Sequence, residues 1–308
     1  LAAGADIVVE NPPPGSLEAH GLGYETLKTI NPGLIFTSVT PFGNRGPYKY
    51  FKATDLVLYH MSGHAHGLLG AVENPDSNPP IRAGGHQAEL VGGMAAATAT
   101  LMALYRKRIT GKGCRIDISS FEAMVNQLIS GLANCAYGRP APPRDARKVE
   151  EAAAAGMVSA IGGILPCNDG YVAISPREDV QWERWLGVMD NPAWATEERY
   201  STRDARQKNS PALWKLLSEW SSNYSKHEIA RWGQEQRIPC FPVNTVLDLF
   251  NDDQLAHREF FVEIEHPAAG ALKYPGAAYK FSNTGLPLAA RPAPLLGEHN
   301  ESILEKLE

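Results

Sequence analysis

Cysteine is scarce in this chain, and its spacing matches neither a disulfide framework nor a metal site. The four cysteines are Cys114, Cys135, Cys167 and Cys240. No two of them form a CxxC pair, and none has metal-ligand spacing. We therefore expect no metal site and a reducing, cytoplasmic location.

The chain also lacks blocks of like charge and long apolar runs. The formal net charge is −5 and the pI is near 6.0, with no basic stripe. These values give no electrostatic reason to expect nucleic acid or a membrane as partner. No apolar run suggests a membrane span, and the start has no basic export signal. A small-molecule partner is therefore expected.

The sequence has no methionine at position 1. A pattern typical of a buried strand begins almost at once, at residues 6–10. We expect that upstream residues are missing and that the first domain is incomplete here.

The pattern that is present alternates short strands with helices. An apolar run at residues 7–9 ends in the proline-rich loop 11–15, and helical patterns then run to residue 30. A second strand is predicted at 34–39 and a third at 115–118. Such β-α-β order predicts an α/β fold with a parallel sheet.

A helix rich in alanine and glycine is predicted over residues 87–109. Small side chains let it approach its neighbours closely, and the cations at residues 106–108 suit the negative end of its dipole. A helix is also predicted over residues 121–132.

The second half reads as a smaller α+β unit after a linker at residues 138–155. It has a strand at 170–175, two helices at 180–189 and 211–224, and a capping box at 225–228. A hairpin is predicted from residues 260–265 and 271–274.

Several short motifs occur in one order along nearly the whole chain. None is specific alone, but their order resembles that of class III CoA-transferases, the formyl-CoA and carnitine-CoA type. They are ADIVVEN at 5–11, LGY at 22–24, INP at 30–32, FG at 42–43, GPY at 46–48, MSG at 61–63, TGKG at 110–113, IDIS at 116–119, DGY at 169–171, PVN at 242–244, HP at 266–267 and PLLGEH at 294–299.

The resemblance implies a Rossmann-like large domain built from both ends of the chain and a smaller inserted α+β domain. The implied parts are residues 1–145, the insert 156–240, and 241–308 returning to the large domain. It also implies an interlocked homodimer. The implied substrates are an acyl-CoA and a carboxylic acid, with no tightly bound cofactor.

The resemblance implies that Glu89 is the catalytic residue. The family usually has aspartate here, so this chain keeps the carboxylate on a side chain one methylene longer. A carboxylate can attack an acyl-CoA thioester to give a mixed anhydride and then a glutamyl-CoA thioester. The competing interpretation is an ordinary first-turn glutamate that favours the helix dipole.

Contacts to the coenzyme and acyl group are expected from loops at the carboxyl ends of strands and from the turn before Glu89. Ordinary loop roles explain these residues equally well. The candidates are Glu10, Asn11, Phe42, Gly43, Gly84, Gly85, His86 and Gln87.

Two departures from the family pattern matter. Pro13 occupies a place where relatives usually have an arginine that can contact CoA phosphate. Thr54 stands where the racemase branch has a histidine before the equivalent of Asp55, so racemisation is not expected. His60 and His64 are four residues apart, but Gly63 interrupts the helix and no further ligand completes a metal site.

Two alternatives to an active transferase stay open at this point. One is a non-catalytic scaffold subunit that pairs with an active homologue. The other is a generic nucleotide-binding α/β protein without affinity for CoA. The sequence does not show which carboxylic acids are the substrates, because no short motif identifies the residues of the acyl-binding pocket.

Overall fold

The computed structural model describes residues 1–68, 72, 74–139, 144, 163–176, 178–283 and 291–305. The chain divides into two compact units, Leu1–Val158 and Ser159–Glu308. The predicted linker at 138–155 lies mostly outside the described residues. The return of residues 241–308 to the large domain stays a prediction.

A three-stranded parallel sheet organises the first unit. Its strands are β1 (Ile7–Glu10), β2 (Ile35–Thr40) and β3 (Cys114–Ser119), in the order β1-β2-β3. The central strand β2 is almost wholly buried. The predicted α/β fold is confirmed, and the carboxyl ends of all three strands share one edge of the sheet.

The described part of the first unit also contains seven α-helices. They are α1 (Ser16–Ala19), α2 (Tyr24–Ile30), α3 (Asp55–Met61), α4 (His64–Leu68), α5 (Gln87–Thr110), α6 (Ser120–Val125) and α7 (Ile129–Ala136). Of these, α5 packs against β2 and β3.

Helix α5 begins at the predicted residue and ends one residue beyond the prediction, before Gly111. Gly111 has φ +70°, a left-handed conformation that glycine adopts without strain and that ends helices. A buried hydrogen bond of 2.7 Å between Thr37 and Thr100 hydroxyls fixes α5 against β2. Gly92 packs so closely on α6 that a β-carbon there would lie 2.4 Å from Ser120 Oγ.

Helix α5 also corrects one expectation. By length and composition it could cross a membrane, although the sequence suggested no such stretch. Glycine and alanine supply much of this apolar character. The contacts with β2 and α6 make α5 an integral part of the first unit.

The prediction of a single helix over residues 121–132 is wrong. The chain forms α6 and α7 with a break between them, because Gln127 and Leu128 donate to Met124 and Val125 in tighter i to i−3 turns. The Met124 carbonyl also lies 2.9 Å from His64 Nε2. A residue from α4 thus satisfies a carbonyl that a continuous helix would use.

The second unit contains an antiparallel sheet with the order β4-β5-β6 and a separate hairpin. Its strands are β4 (Gly163–Cys167), β5 (Gly170–Ile174), β6 (Cys240–Pro242), β7 (Phe261–His266) and β8 (Gly270–Pro275). The predicted hairpin is confirmed, with Phe261 opposite Pro275 and His266 opposite Gly270.

Among the described helices of the second unit, those that contain Trp185, Leu217 and Ile229 pack with this sheet around large aromatic side chains. Trp185 and Ile229 lie fully buried in the core with Leu165 and Val172 of the sheet. The predicted capping box at Ser225 is confirmed. The described α-helices of the second unit are α8 (Asp179–Val188), α9 (Arg203–Lys208), α10 (Ser210–Ser221), α11 (Lys226–Glu235), α12 (Val246–Phe250), α13 (Asp253–His257) and α14 (Asn300–Leu304).

Candidate active site

A cavity of about 420 Å³ opens at the carboxyl ends of β1 and β2. We call it the carboxylate cavity, because Glu10, Asp55 and Glu89 all line it. The remaining lining residues are Val9, Asn11, Val39, Thr40, Pro41, Ala53, Thr54, Leu58, Gly93 and Ser120. The first unit thus brings together the loops after β1 and β2 and the amino-terminal parts of α3, α5 and α6.

Glu89 lies in the first turn of α5, where backbone N–H groups that have no partner within the helix create a positive potential. Its side chain is 62% exposed, and Oε2 lies 3.0 Å from His86 Nδ1. The imidazole can donate to the carboxylate without removing it from the cavity. Glu89 is therefore accessible to a ligand as well as held by a neighbour.

Asp55 fixes the turn from which Glu89 projects. This carboxylate is 5% exposed; Oδ1 accepts a 2.7 Å hydrogen bond from the Ala88 backbone N–H. Its Oδ2 accepts from Arg82 Nη1 at 3.0 Å, and the same nitrogen donates to the Gly85 carbonyl at 2.9 Å. Asp55 thus caps α5 from another helix and, through Arg82, holds the preceding loop.

The other residues predicted around Glu89 lie in that loop. Gln87 Nε2 donates to the Gly84 carbonyl at 2.8 Å, and Gly85 adopts φ +79°. His86 contacts Glu89, as described, whereas none of Gly84, Gly85, His86 and Gln87 lines the carboxylate cavity. They shape the entrance to α5, and direct contacts to substrate stay a prediction.

The structure places the remaining candidates in two groups. Glu10 and Asn11 line the carboxylate cavity together with Glu89. Phe42 packs instead against the rings of Tyr48 and Phe121, with centroids 5.7 and 6.0 Å away, and does not line this cavity.

Gly43 is buried, with φ +81°, beside Asp117. The next residue, Asn44, donates its backbone N–H and its side-chain amide to the Asp117 carboxylate, both at 3.0 Å. Gly43 therefore shapes the loop after β2 and, like Phe42, does not line the carboxylate cavity.

A second cavity, of about 520 Å³, lies in the same unit and was not predicted. We call it the basic cavity. It is lined by Pro14, Gly15, Glu18, Asn44, Arg45, Lys49, Tyr50, Arg115 and Asp117. The loop after β2 was expected to bind ligand, but Arg115 on β3 gave no local signal because it reaches the cavity only through strand pairing.

The histidines near α3 and α4 have local partners. His60 Nδ1 lies 2.8 Å from the Leu56 carbonyl, and His64 Nε2 contacts the Met124 carbonyl. Within the described residues, no group of three or more His, Cys, Asp or Glu could hold a metal ion.

Comparison with known proteins assigns the chain to a family. Residues 1–300 match the model of CoA-transferase family III, and the chain belongs to that family. It is therefore a CoA-transferase by class, an enzyme that acts on CoA thioesters.

Individual relatives agree with this assignment. Human succinyl-CoA:glutarate CoA-transferase is 31% identical over 315 residues, which cover 100% of this chain and 67% of the relative. The succinyl-CoA:(R)-benzylsuccinate CoA-transferase subunit BbsE of Thauera aromatica is 33% identical over 318 residues, 99% of this chain and 73% of that subunit. A crystal structure of a CAIB/BAIF family protein from Brucella suis superposes with a TM-score of 0.83 at 29% identity, covering 100% of this chain and 76% of that one.

Proposed function

We propose that this chain moves coenzyme A between carboxylic acids with Glu89 as the covalent carrier. One observation supports this role above all: the Glu89 carboxylate projects from a helix amino terminus into a cavity at the carboxyl edge of a parallel sheet. Open α/β sheets bind ligands at that edge. An ordinary first-turn glutamate would not need a cavity or the buried support of Asp55.

The proposed reaction begins when a Glu89 oxygen attacks the thioester carbonyl carbon of the donor. The C–S bond breaks, the CoA thiolate leaves with the electron pair, and a mixed anhydride forms. The thiolate then attacks the glutamyl carbonyl, releasing the donor acid as a carboxylate and leaving a glutamyl-CoA thioester. The acceptor carboxylate repeats both steps in reverse order and leaves as its CoA thioester.

The residues around Glu89 support this chemistry by position and electrostatics. Every attacking group is an anion, so no proton has to be removed. Glu89 lies at the positive end of α5, and Asp55 and Arg82 hold the turn in place. Glu10 and Asn11 would contact the substrate across the cavity, and His86 would steady the carboxylate.

The remaining predicted contacts belong to the same proposal. Backbone amides near Gly84 and Gly85 would stabilise the tetrahedral oxyanion, and Gln87 would contact the acyl group. Phe42 and Gly43 would contact coenzyme A. The glycines of α5 would leave room for the pantetheine arm.

The donor is proposed from the relatives. Two of the compared enzymes are named for succinyl-CoA, and a third relative in Agrobacterium fabrum for succinate and glutarate. We therefore take succinyl-CoA as the first donor and small dicarboxylic acids as acceptors. A cytoplasmic location, an interlocked homodimer and the absence of a resident cofactor belong to the same proposal.

Trapping of the covalent intermediate tests the role of Glu89. Full-length protein incubated with succinyl-CoA and hydroxylamine should carry a hydroxamate on Glu89, read by peptide mass spectrometry. Glu89→Gln should lose the label and the exchange activity, whereas Glu89→Asp should keep both to a measurable degree. The matched control is Glu122→Gln, which alters the first-turn glutamate of α6. Labelling of Glu89→Gln elsewhere, with normal exchange, would overturn the proposal.

A second candidate function is that of a non-catalytic scaffold subunit. It is favoured by the glutamate at the usual aspartate position and by the likeness to a relative that is named as a subunit. Purification from the native cells, followed by mass measurement of any chain that co-purifies, separates the two functions. Robust exchange by the pure homo-oligomer excludes the scaffold, and activity only with a second, aspartate-bearing chain establishes it.

A further inference from the structure

We propose that the Ser120 hydroxyl determines which acyl groups are accepted, by donating a hydrogen bond to an oxygen on the acyl chain beyond the thioester carbonyl. The inference rests on the proposed function and deepens it, since it takes Glu89 to hold the reacting end of an acyl-CoA. The substrate class is then an acyl group with a hydroxyl or carboxylate on its chain, as opposed to a plain hydrocarbon. Ser120 was not among the residues that the sequence suggested.

The Ser120 side chain is buried, but its hydroxyl has no partner in the protein. The residue is 6% exposed and lines the carboxylate cavity. Within the described part of the chain, its hydroxyl makes no hydrogen bond, whereas the Ser119 hydroxyl accepts from the Glu122 N–H and caps α6. Buried hydroxyls normally bond to protein, water or ligand, because an unpaired one is destabilising. The partner of Ser120 therefore has to come from the cavity.

Two other hydroxyls near the cavity differ from that of Ser120. Ser38 Oγ and Thr40 Oγ1 also lack a hydrogen-bond partner, but both atoms are enclosed by the protein. Thr40 lines the cavity, yet its oxygen is shielded from the open space. Ser120 Oγ is not shielded in this way, so it is the hydroxyl that a ligand can reach.

Ser120 lies about one helical turn from the residue proposed to react. A β-carbon on Gly92 would lie 2.4 Å from Ser120 Oγ, so this oxygen packs directly on α5. Gly92 is three residues after Glu89, which is about 4.5 Å along the helix axis. Gly93 also lines the cavity and has open space around it. An acyl chain held at Glu89 can therefore extend along α5 and meet the hydroxyl a few bonds beyond its carbonyl.

The surroundings of Ser120 allow an oxygen and penalise a methyl group. Both Asp55 oxygens are already occupied, by the Ala88 N–H and by Arg82. Glu10 ends β1, two strands away from β3, so its backbone lies about 10 Å from that of Ser120. A methyl group at this place would keep the hydroxyl from water and leave it unpaired, which is how a hydrogen-bonding site rejects an apolar analogue.

Titration of three four-carbon acyl-CoA thioesters into full-length Glu89→Gln protein tests the contact without turnover. Butyryl-CoA has no oxygen beyond its carbonyl, 3-hydroxybutyryl-CoA adds a hydroxyl, and succinyl-CoA adds a carboxylate. Adding Ser120→Ala should raise the Kd about tenfold for at least one of the two oxygen-bearing thioesters and leave that of butyryl-CoA unchanged. The thioester that is affected identifies the group that Ser120 binds. An unchanged Kd for both, or an equal rise for all three, would overturn the assignment.

The matched control is Ser119→Ala in the same Glu89→Gln background. It removes the neighbouring hydroxyl, which caps α6 and does not line the cavity. It should change the Kd of all three thioesters by the same factor, because a lost cap loosens α6 without removing a donor from the cavity. A change in selectivity as large as that of Ser120→Ala would show that the effect comes from the position of α6, and would reject a direct contact.

Kinetics in protein with Glu89 intact distinguish this inference from the proposed function. Ser120→Ala should lower about tenfold the ratio of kcat/KM for the oxygen-bearing donor to kcat/KM for butyryl-CoA. Binding that depends on Ser120, in a protein that shows no exchange with any donor, would reject the proposed function and keep the contact. Exchange that depends on Glu89 while selectivity is unaffected by Ser120→Ala would keep the proposed function and reject the contact.

Discussion

At the scale of the residue, the structure separates the group proposed to react from the group that positions it. Glu89 is exposed to its cavity, whereas Asp55 is buried and hydrogen-bonded to the backbone one residue before Glu89. Buried, charge-assisted hydrogen bonds hold geometry more rigidly than exposed ones. Precise placement of the carboxylate therefore depends on a residue that need not touch the substrate.

We predict that Asp55→Ala lowers kcat about tenfold or more while KM for the acyl-CoA changes little, because misplacement of the nucleophile raises the barrier. The free energy of unfolding should fall by about 1–3 kcal/mol, because the variant lacks the helix cap and the buried hydrogen-bond acceptor that Asp55 supplies. Asp55→Asn, which keeps an oxygen for the Ala88 N–H, should recover part of kcat. Steady-state kinetics and thermal melts measure both effects.

The control for this prediction is Asp6→Ala. Asp6 pairs with Lys107 at 2.8 Å near the other end of α5, so its loss disturbs the same helix away from Glu89. It should leave kcat unchanged. A kcat for Asp55→Ala equal to that of the control would show that Asp55 only stabilises the fold.

At the scale of the element, α5 has two adjacent glycines with opposite surroundings. A β-carbon on Gly92 would lie 2.4 Å from Ser120 Oγ and 3.1 Å from Ser120 Cβ, whereas Gly93 has open space around it. Gly92 sets how closely α5 and α6 pack. Gly93 instead leaves room in the carboxylate cavity, which it lines.

We predict that Gly92→Ala lowers the melting temperature, because overpacking costs about 1–3 kcal/mol and outweighs the helix-propensity gain of about 1 kcal/mol. Gly93→Ala should instead raise the melting temperature slightly and lower kcat/KM for the acyl-CoA, since its methyl group narrows the cavity. Calorimetry and kinetics on both variants check this. A stabilised Gly92→Ala protein would contradict the packing described for α5 and α6.

At the scale of the whole molecule, stability should depend on an ion pair in the second unit. Lys226 on α11 is 7% exposed, and its Nζ lies 2.7 Å from Asp248 Oδ2 on α12. This contact and hydrogen bonds from Thr245 lower the pKa of Asp248 to about 2. Because this value is below the unfolded one, the pair stabilises the fold fully above the unfolded pKa of about 4.

We therefore predict that Asp248→Asn melts at a lower temperature than the unchanged protein near neutral pH, because Lys226 loses its counterion. The difference should shrink as the pH falls from about 4 through about 2, where Asp248 itself becomes protonated. Melting curves across this range measure it. Asp253→Asn, an exposed acid on α13, is the control, and a constant difference at all pH values would refute the linkage.

Much of the architecture could be predicted from local patterns. Periodicity and turn residues predicted the three parallel strands, α5, the capping box at Ser225 and the β7–β8 hairpin. The break between α6 and α7 could not, because His64 reaches the Met124 carbonyl from another helix. Phe42 packs on aromatic rings and Gly43 shapes a loop, which a loop position alone did not reveal.

The sequence by itself determined that a carboxylate, Glu89, begins a glycine-rich helix beside motifs of a CoA-transferase, since helix start signals and motif order are properties of the chain. Only the tertiary structure decided what surrounds that carboxylate. Asp55 accepts from the Ala88 N–H, one residue before Glu89 and 33 residues away from Asp55, and Asn44 meets Asp117 across 73 residues, through strand pairing and helix packing. Local periodicity carries no information about such contacts, because they depend on which surfaces the folded core brings together.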